Sequence, residues 1–185
     1  RGLGRQQLVQ RFMQEDDRFQ APSWVTDNPQ QAAGRINIEP VKMEELVANE
    51  AFLTTYRENG YTYGLRVQDV LAASDGDKVC LVDADTPLAE SIANMEVGAT
   101  LLGVWISRNS LAAIEDASKQ RLVEMGMDTS DKSFNSQLSA DVDRAVRDIE
   151  FMITSGMFDY TIINQDEQES LEKLRQATEF AFRFK

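Results

Sequence analysis

A chain of 185 residues, 42% hydrophobic and 27% charged, has the size and composition of one globular domain and can bury about 70% of the surface its unfolded form exposes. Its net charge of −12 repels phosphate backbones and anionic lipid, which disfavours nucleic acid and membrane surfaces as partners, and no apolar run approaches the ~20 residues of a membrane span. The chain has no histidine to act as general base or metal ligand. Its one cysteine, Cys80, lies in an apolar stretch and reads as a buried structural thiol, so no metal site is expected.

Gln6 to Arg18 is predicted as a helix, with Leu8, Val9, Phe12 and Met13 on one face. Phe19 to Gly34, rich in Gln, Pro and Asn, is expected to be a loop. Ile36 and Ile38 alternate as in a short strand, and Val41 to Ala48 reads as a helix with Met43, Leu46 and Val47 inward. Phe52 to Glu58 and Tyr61 to Gly64 flank Asn59-Gly60, a hairpin signal. A helix over 66–73 follows.

Val79 to Val82 is an unbroken apolar run that leads into Asp83, Asp85 and a Thr-Pro. Such a run reads as a strand buried on both faces of a parallel sheet, and ligands in such sheets sit beyond the carboxyl ends of the strands. A short helix over 88–94 and a second buried strand over 100–106 come next. Ser110 is a fitting N-cap for a helix that Gly126 stops near Met125. The longest helix, about 130–153, places Phe134, Leu138, Val142, Ala145, Ile149 and Met152 at three- and four-residue spacing, so this stripe and that of 111–125 are expected in the core. A strand over 160–163 and an amphipathic helix over 169–184 end the series, with Phe182 off the face shared by Phe180 and Phe184. Strand–helix alternation with short connections gives an α/β fold with right-handed crossovers.

YTYGL at 61–65, VCLVDAD at 79–85, ATLLGVWI at 99–106, MGMDTS at 125–130 and FDYTIIN at 158–164, each beside the right helix, resemble a guanylate kinase domain over nearly the whole chain. The resemblance implies a single domain over 1–185: a P-loop NTPase core of parallel sheet flanked by helices (1–34 and 66–185), a small β-rich GMP-binding-type lobe at about 35–65, and a helical lid. It also implies that a first core strand precedes Arg1. The family transfers phosphate from ATP to GMP, work done almost entirely by positioning and charge stabilisation, so cations are indispensable.

Position by position, those cations are missing. Gly2, Gly4, Arg5 and Gln6 fall on the end of the phosphate loop, with Arg5 in place of its lysine and Gln6 in place of the magnesium-binding hydroxyl. The two arginines that grip the GMP phosphate align within Thr26 to Gln30, which holds an acid and amides, and a nearby tyrosine aligns with Arg35. The guanine-reading glutamate position falls on Thr54 and a hydroxyl position on Leu65, whereas Tyr63, Gly64, Asp83 and Asp85 match. In the lid, Met125 and Met127 replace arginines beside the matching Asp128, and Gln137 replaces another. Each charge-assisted hydrogen bond to phosphate is worth ~1.5–3 kcal/mol. Losing even four such cations forfeits on the order of 6–12 kcal/mol, or about four to nine powers of ten.

The expectation is a catalytically inactive guanylate-kinase-like domain without a cofactor, or with a weak ATP–magnesium site at most. It would serve as an intracellular structural or protein-interaction module, part of a larger chain or assembly, with an acidic surface suited to a basic partner. For Asp83 and Asp85 the reading is helix capping rather than a metal–nucleotide remnant. Two alternatives stand beside it: a divergent nucleoside monophosphate kinase using Arg5 and other cations, and a nucleotide sensor without turnover.

Overall fold

The computed structural model describes residues 5–30, 34–94 and 100–182, and their contacts group into two compact units, Met13–Glu96 on one hand and Arg1–Phe12 with Val97–Lys185 on the other. Helix α1 (Arg5–Glu15) buries Leu8, Val9 and Phe12, the face given by its apolar spacing.

Within Met13–Glu96 the stretch expected as a loop supplies two short strands, β1 (Phe19–Gln20) and β2 (Trp24–Thr26). Trp24-Val25-Thr26 has the aromatic and β-branched residues that suit a strand, but three residues among Gln, Pro and Asn are too few to mark one, and Phe19-Gln20 is shorter still. Strand β3 (Arg35–Asn37), helix α2 (Pro40–Ala48), strands β4 (Thr54–Glu58) and β5 (Tyr61–Leu65), helix α3 (Val67–Ala72), strand β6 (Val79–Cys80) and helix α4 (Thr86–Ala93) follow. A four-stranded sheet runs β3-β2-β5-β4, and β1 pairs with β6 in parallel. The hairpin turn holds Asn59 at φ 51° and Gly60 at φ 83°, the two left-handed residues that match strand twist in a tight turn. Leu65, Val70 and Leu88 form the core of this unit, with Trp24, Leu53, Cys80 and Val82 packed on it.

In the other unit β7 (Val104–Ser107) pairs in parallel with β8 (Tyr160–Ile163), in register Val104 to Tyr160 through Ser107 to Ile163. Helices α5 (Leu111–Glu124), α6 (Lys132–Ser155) and α7 (Glu167–Phe182) complete it. Ser110 caps α5 by accepting from Ala113 N at 3.2 Å, and Gly126 ends it at φ 80°. Asp131 caps α6 through Ser133 N, and Gly156 stops it in the left-handed region.

The helical stripes are only partly core. Ile114 and Leu122 of α5 and Phe134 and Leu138 of α6 are buried, but Leu111, Val123 and Met125 are exposed and Ile153 is 70% exposed. Beyond Leu138 the stripe residues Val142, Ala145, Ile149 and Met152 are half-buried, so periodicity identified the face and not the depth to which each turn is buried. The aromatic end of α7 is also reversed: Phe180 is exposed, near the Tyr160 ring, while Phe182 is half-buried. Phe184 lies outside the described residues.

Candidate functional site

The GMP-binding-type lobe is built on one face of the β3-β2-β5-β4 sheet. The register sets Trp24 beside Arg35, Thr26 beside Tyr63, and Tyr56 beside Tyr63, so these side chains share a face. Tyr63 is the centre of that face and is only 2% exposed. The Tyr56 ring stacks on it at 4.8 Å and 10°, and Trp24 meets Tyr56 edge-on at 5.6 Å. The Arg35 guanidinium lies 4.5 Å from the Tyr63 ring centroid, a cation–π contact.

The Tyr63 hydroxyl is also engaged: it accepts from Asn28 Nδ2 at 2.9 Å. Around Asn28, the stretch where the resemblance places two phosphate-gripping arginines closes on itself. Thr26 Oγ1 donates to the Thr62 carbonyl at 2.9 Å, and Asp27 Oδ1 accepts from Thr62 N at 2.7 Å. Asn28 Oδ1 accepts from Gln30 N at 2.9 Å, and the Asn28 carbonyl accepts from Asn37 Nδ2 at 2.7 Å. Leu65, at a position expected to bear a hydroxyl, is fully buried in the apolar core.

Thr54 is half-buried and lines an open hollow of about 480 Å³ with Val47, Glu50, Phe52, Leu53 and Thr55. Gly64 is required by contact: a Cβ there would stand 2.3 Å from the Phe52 ring. The sequence singled out Gly64 as a site residue; the structure gives it a packing reason.

Asp83 and Asp85 are exposed at the end of β6. Asp85 caps α4, accepting from Leu88 N at 3.1 Å, with Pro87 in the first turn. Among the described residues no group of three or more Cys, Asp or Glu could hold a metal ion. Cys80, half-buried behind this loop, has its thiol pushed up to about 11 by burial.

Gly2 and Gly4 lie outside the described residues. Arg5 and Gln6 open α1, with Gln6 exposed. Gln6 offers an amide where the resemblance calls for a magnesium-binding hydroxyl.

The lid positions lie between α5 and α6. Met127 packs on the cluster of Leu122, Phe134 and Leu138, while Met125 is 66% exposed with its sulfur 3.4 Å from Arg121 Nη1. Asp128 Oδ1 accepts from both the amide and the hydroxyl of Ser130, at 2.8 Å each, and these bonds hold its carboxyl below the usual aspartate range. Gln137 Nε2 donates to Asp141 Oδ1 at 3.1 Å, and Asp141 Oδ2 pairs with Arg121. Asn164, after β8, is buried; its amide donates to the Ser107 carbonyl, and its carbonyl accepts from Arg108 Nη1 at 2.8 Å.

Parallel strand pairs that feed helices, a small mixed sheet with the Tyr-Gly pair at its centre, and a helical lid together define an α/β kinase fold of the P-loop class. The solved guanylate kinase of Anaplasma phagocytophilum shares this fold, with a TM-score of 0.60 over 94% of this chain and 79% of that one at 13% identity. The guanylate kinase family model matches residues 1–181, and the chain belongs to that family. It is 26% identical over 133 residues to a curated protein of Arabidopsis thaliana, Guanylate kinase 1. The match covers 72% of this chain and 32% of that relative, so the chain spans about a third of the relative's length.

Among the described residues no helix is long and apolar enough to cross a membrane. Sequence reasoning missed two contacts at these positions, Arg35 on Tyr63 and Arg121 with Asp141. Neither pair is close in sequence, and no spacing rule reaches across strands or between helices to find them.

Proposed function

We propose that this domain is a catalytically inactive guanylate kinase family member that serves as a structural or protein-interaction module within a larger chain or assembly. The observation that carries the reading is the closed hydrogen-bond circuit of Thr26, Asp27 and Asn28 with Thr62 and Tyr63. Groups that would meet a doubly anionic phosphate are satisfied by one another, and two arginines that would hold that phosphate are replaced by an acid and amides. Displacing the circuit would cost several hydrogen bonds of about 1 kcal/mol each and offer no new charge in return. The substitutions at Met125, Met127 and Gln137 remove cations from the lid in the same sense. The acidic chain suits a basic protein partner.

Titration calorimetry with GMP and with ATP–magnesium, together with a coupled ADP-release assay, tests the inactivity. The expected result is no saturable GMP binding in the micromolar range and ADP release at background. Micromolar GMP binding with turnover would overturn it. Chemical cross-linking of the protein in its native extract, read by mass spectrometry, tests the assembly; recovery of the chain only as a free monomer would count against that role.

A second reading is favoured by Arg35, a guanidinium that stays on the GMP-binding-type face. A divergent kinase or a nucleotide sensor would use it as its phosphate contact. If the wild-type chain binds GMP and Arg35→Ala loses it while keeping its thermal midpoint, this reading replaces the first.

A further inference from the structure

Two positions where the family resemblance calls for lid arginines, Met125 and Gln137, touch the same ion pair from opposite ends. Met125 Sδ lies against Arg121 Nη1 at 3.4 Å, and Gln137 Nε2 donates to Asp141 Oδ1 at 3.1 Å. Arg121, in the last turn of α5, directs Nη2 at Asp141 Oδ2 on α6. The pair is largely covered, with side chains 26% and 16% exposed, so solvent screens it less than a surface pair. The carboxylate is divided: one oxygen serves the arginine and the other the glutamine. Arg121 Nε is buried without a hydrogen-bond partner among the described residues. The guanidinium therefore lacks the two-pronged bonding that arginine makes with a well-placed oxyanion.

We propose that Asp141 is a resident anion, occupying the Arg121 guanidinium in the lid as a phosphate oxyanion would, so that removing its charge opens an anion site for a linear polyphosphate. The inference rests on the reading of the domain as inactive and deepens it: the lid has lost cations at 125 and 137, and a built-in carboxylate takes up the guanidinium between them. An uncompensated, partly covered guanidinium is strongly disfavoured and recruits whatever oxyanion is at hand.

Inorganic tripolyphosphate is the probe, titrated calorimetrically at low ionic strength into the full chain and its variants Asp141→Ala and Asp141→Asn. Both should bind at least about tenfold more tightly than wild type, the scale of one charge-assisted hydrogen bond. Adding Arg121→Ala to either variant should return the affinity to the wild-type level. No gain in either variant overturns the proposal, as does a gain that survives without Arg121, which would report net charge alone. If Asp141→Ala does not fold, the isosteric Asp141→Asn carries the test. Failure of both to fold counts against the proposal, because it makes the pair a fastener between α5 and α6. ADP release by the wild-type chain would instead overturn the reading of inactivity, and the comparison among variants would still stand.

Discussion

Replacing Tyr63 separates a tyrosine that holds the lobe together from one kept for a ligand. Tyr63→Phe deletes the acceptor for Asn28 Nδ2, a 2.9 Å bond in a partly covered place, and should cost about 1 kcal/mol of stability. For a domain of this size that lowers the thermal midpoint by about 2–4 °C. Tyr63→Ala also removes a ring that is 2% exposed, stacked on Tyr56 and covered by Arg35. The loss should be about 3–5 kcal/mol, a large part of the roughly 5–15 kcal/mol that holds a domain folded. Urea denaturation gives both values, and a double-mutant cycle of Asn28→Ala with Tyr63→Phe should show a coupling of about 1 kcal/mol. The reasoning is refuted if Tyr63→Phe leaves stability unchanged and instead abolishes GMP binding present in the wild type. The hydroxyl would then be kept for a ligand and not for Asn28.

Two further outcomes follow from packing and burial. Gly103→Ala places a Cβ 2.0 Å from the Met157 carbonyl oxygen, where Gly103 also exchanges hydrogen bonds with Asp159 at 2.8 Å. A backbone carbonyl cannot swing aside as a side chain can, so denaturant titration should show a loss of about 2–3 kcal/mol; a neutral result would discredit the close approach of these segments. Burial raises the Cys80 thiol from 9.0 to about 11, so at pH 8 its thiolate population falls about a hundredfold below that of a free thiol. Iodoacetamide alkylation should be slower by that factor and should accelerate as pH rises toward 11. Alkylation at pH 8 as fast as that of free cysteine would show that the thiol is not buried in the folded protein.

Much of the architecture was legible in the residues. The Asn59-Gly60 turn, the Ser110 cap, the Gly126 stop and the parallel strand at 160–163 are local codes, in which a few adjacent residues select one backbone conformation. The family itself was legible because its motifs keep their order. Asp85 was read as a cap and is one, since an acid before Thr-Pro satisfies the exposed amides of a helix start. Strands β1 and β2 were not legible. Runs of two and three residues carry no period, and they are strands because Val79–Cys80 pairs with β1, and Arg35–Asn37 and Tyr63–Gly64 pair with β2.

The sequence alone determined which charges this chain has and at which positions they fall. Tertiary structure decided what became of the groups left behind: Asn28 took the Tyr63 hydroxyl, Arg35 took the ring, and Asp141 took Arg121. The physical reason is that a charge is written at one position, whereas satisfying a polar group depends on partners 35, 28 and 20 residues away in the chain. Only the folded backbone brings such partners within hydrogen-bonding or ring-contact distance.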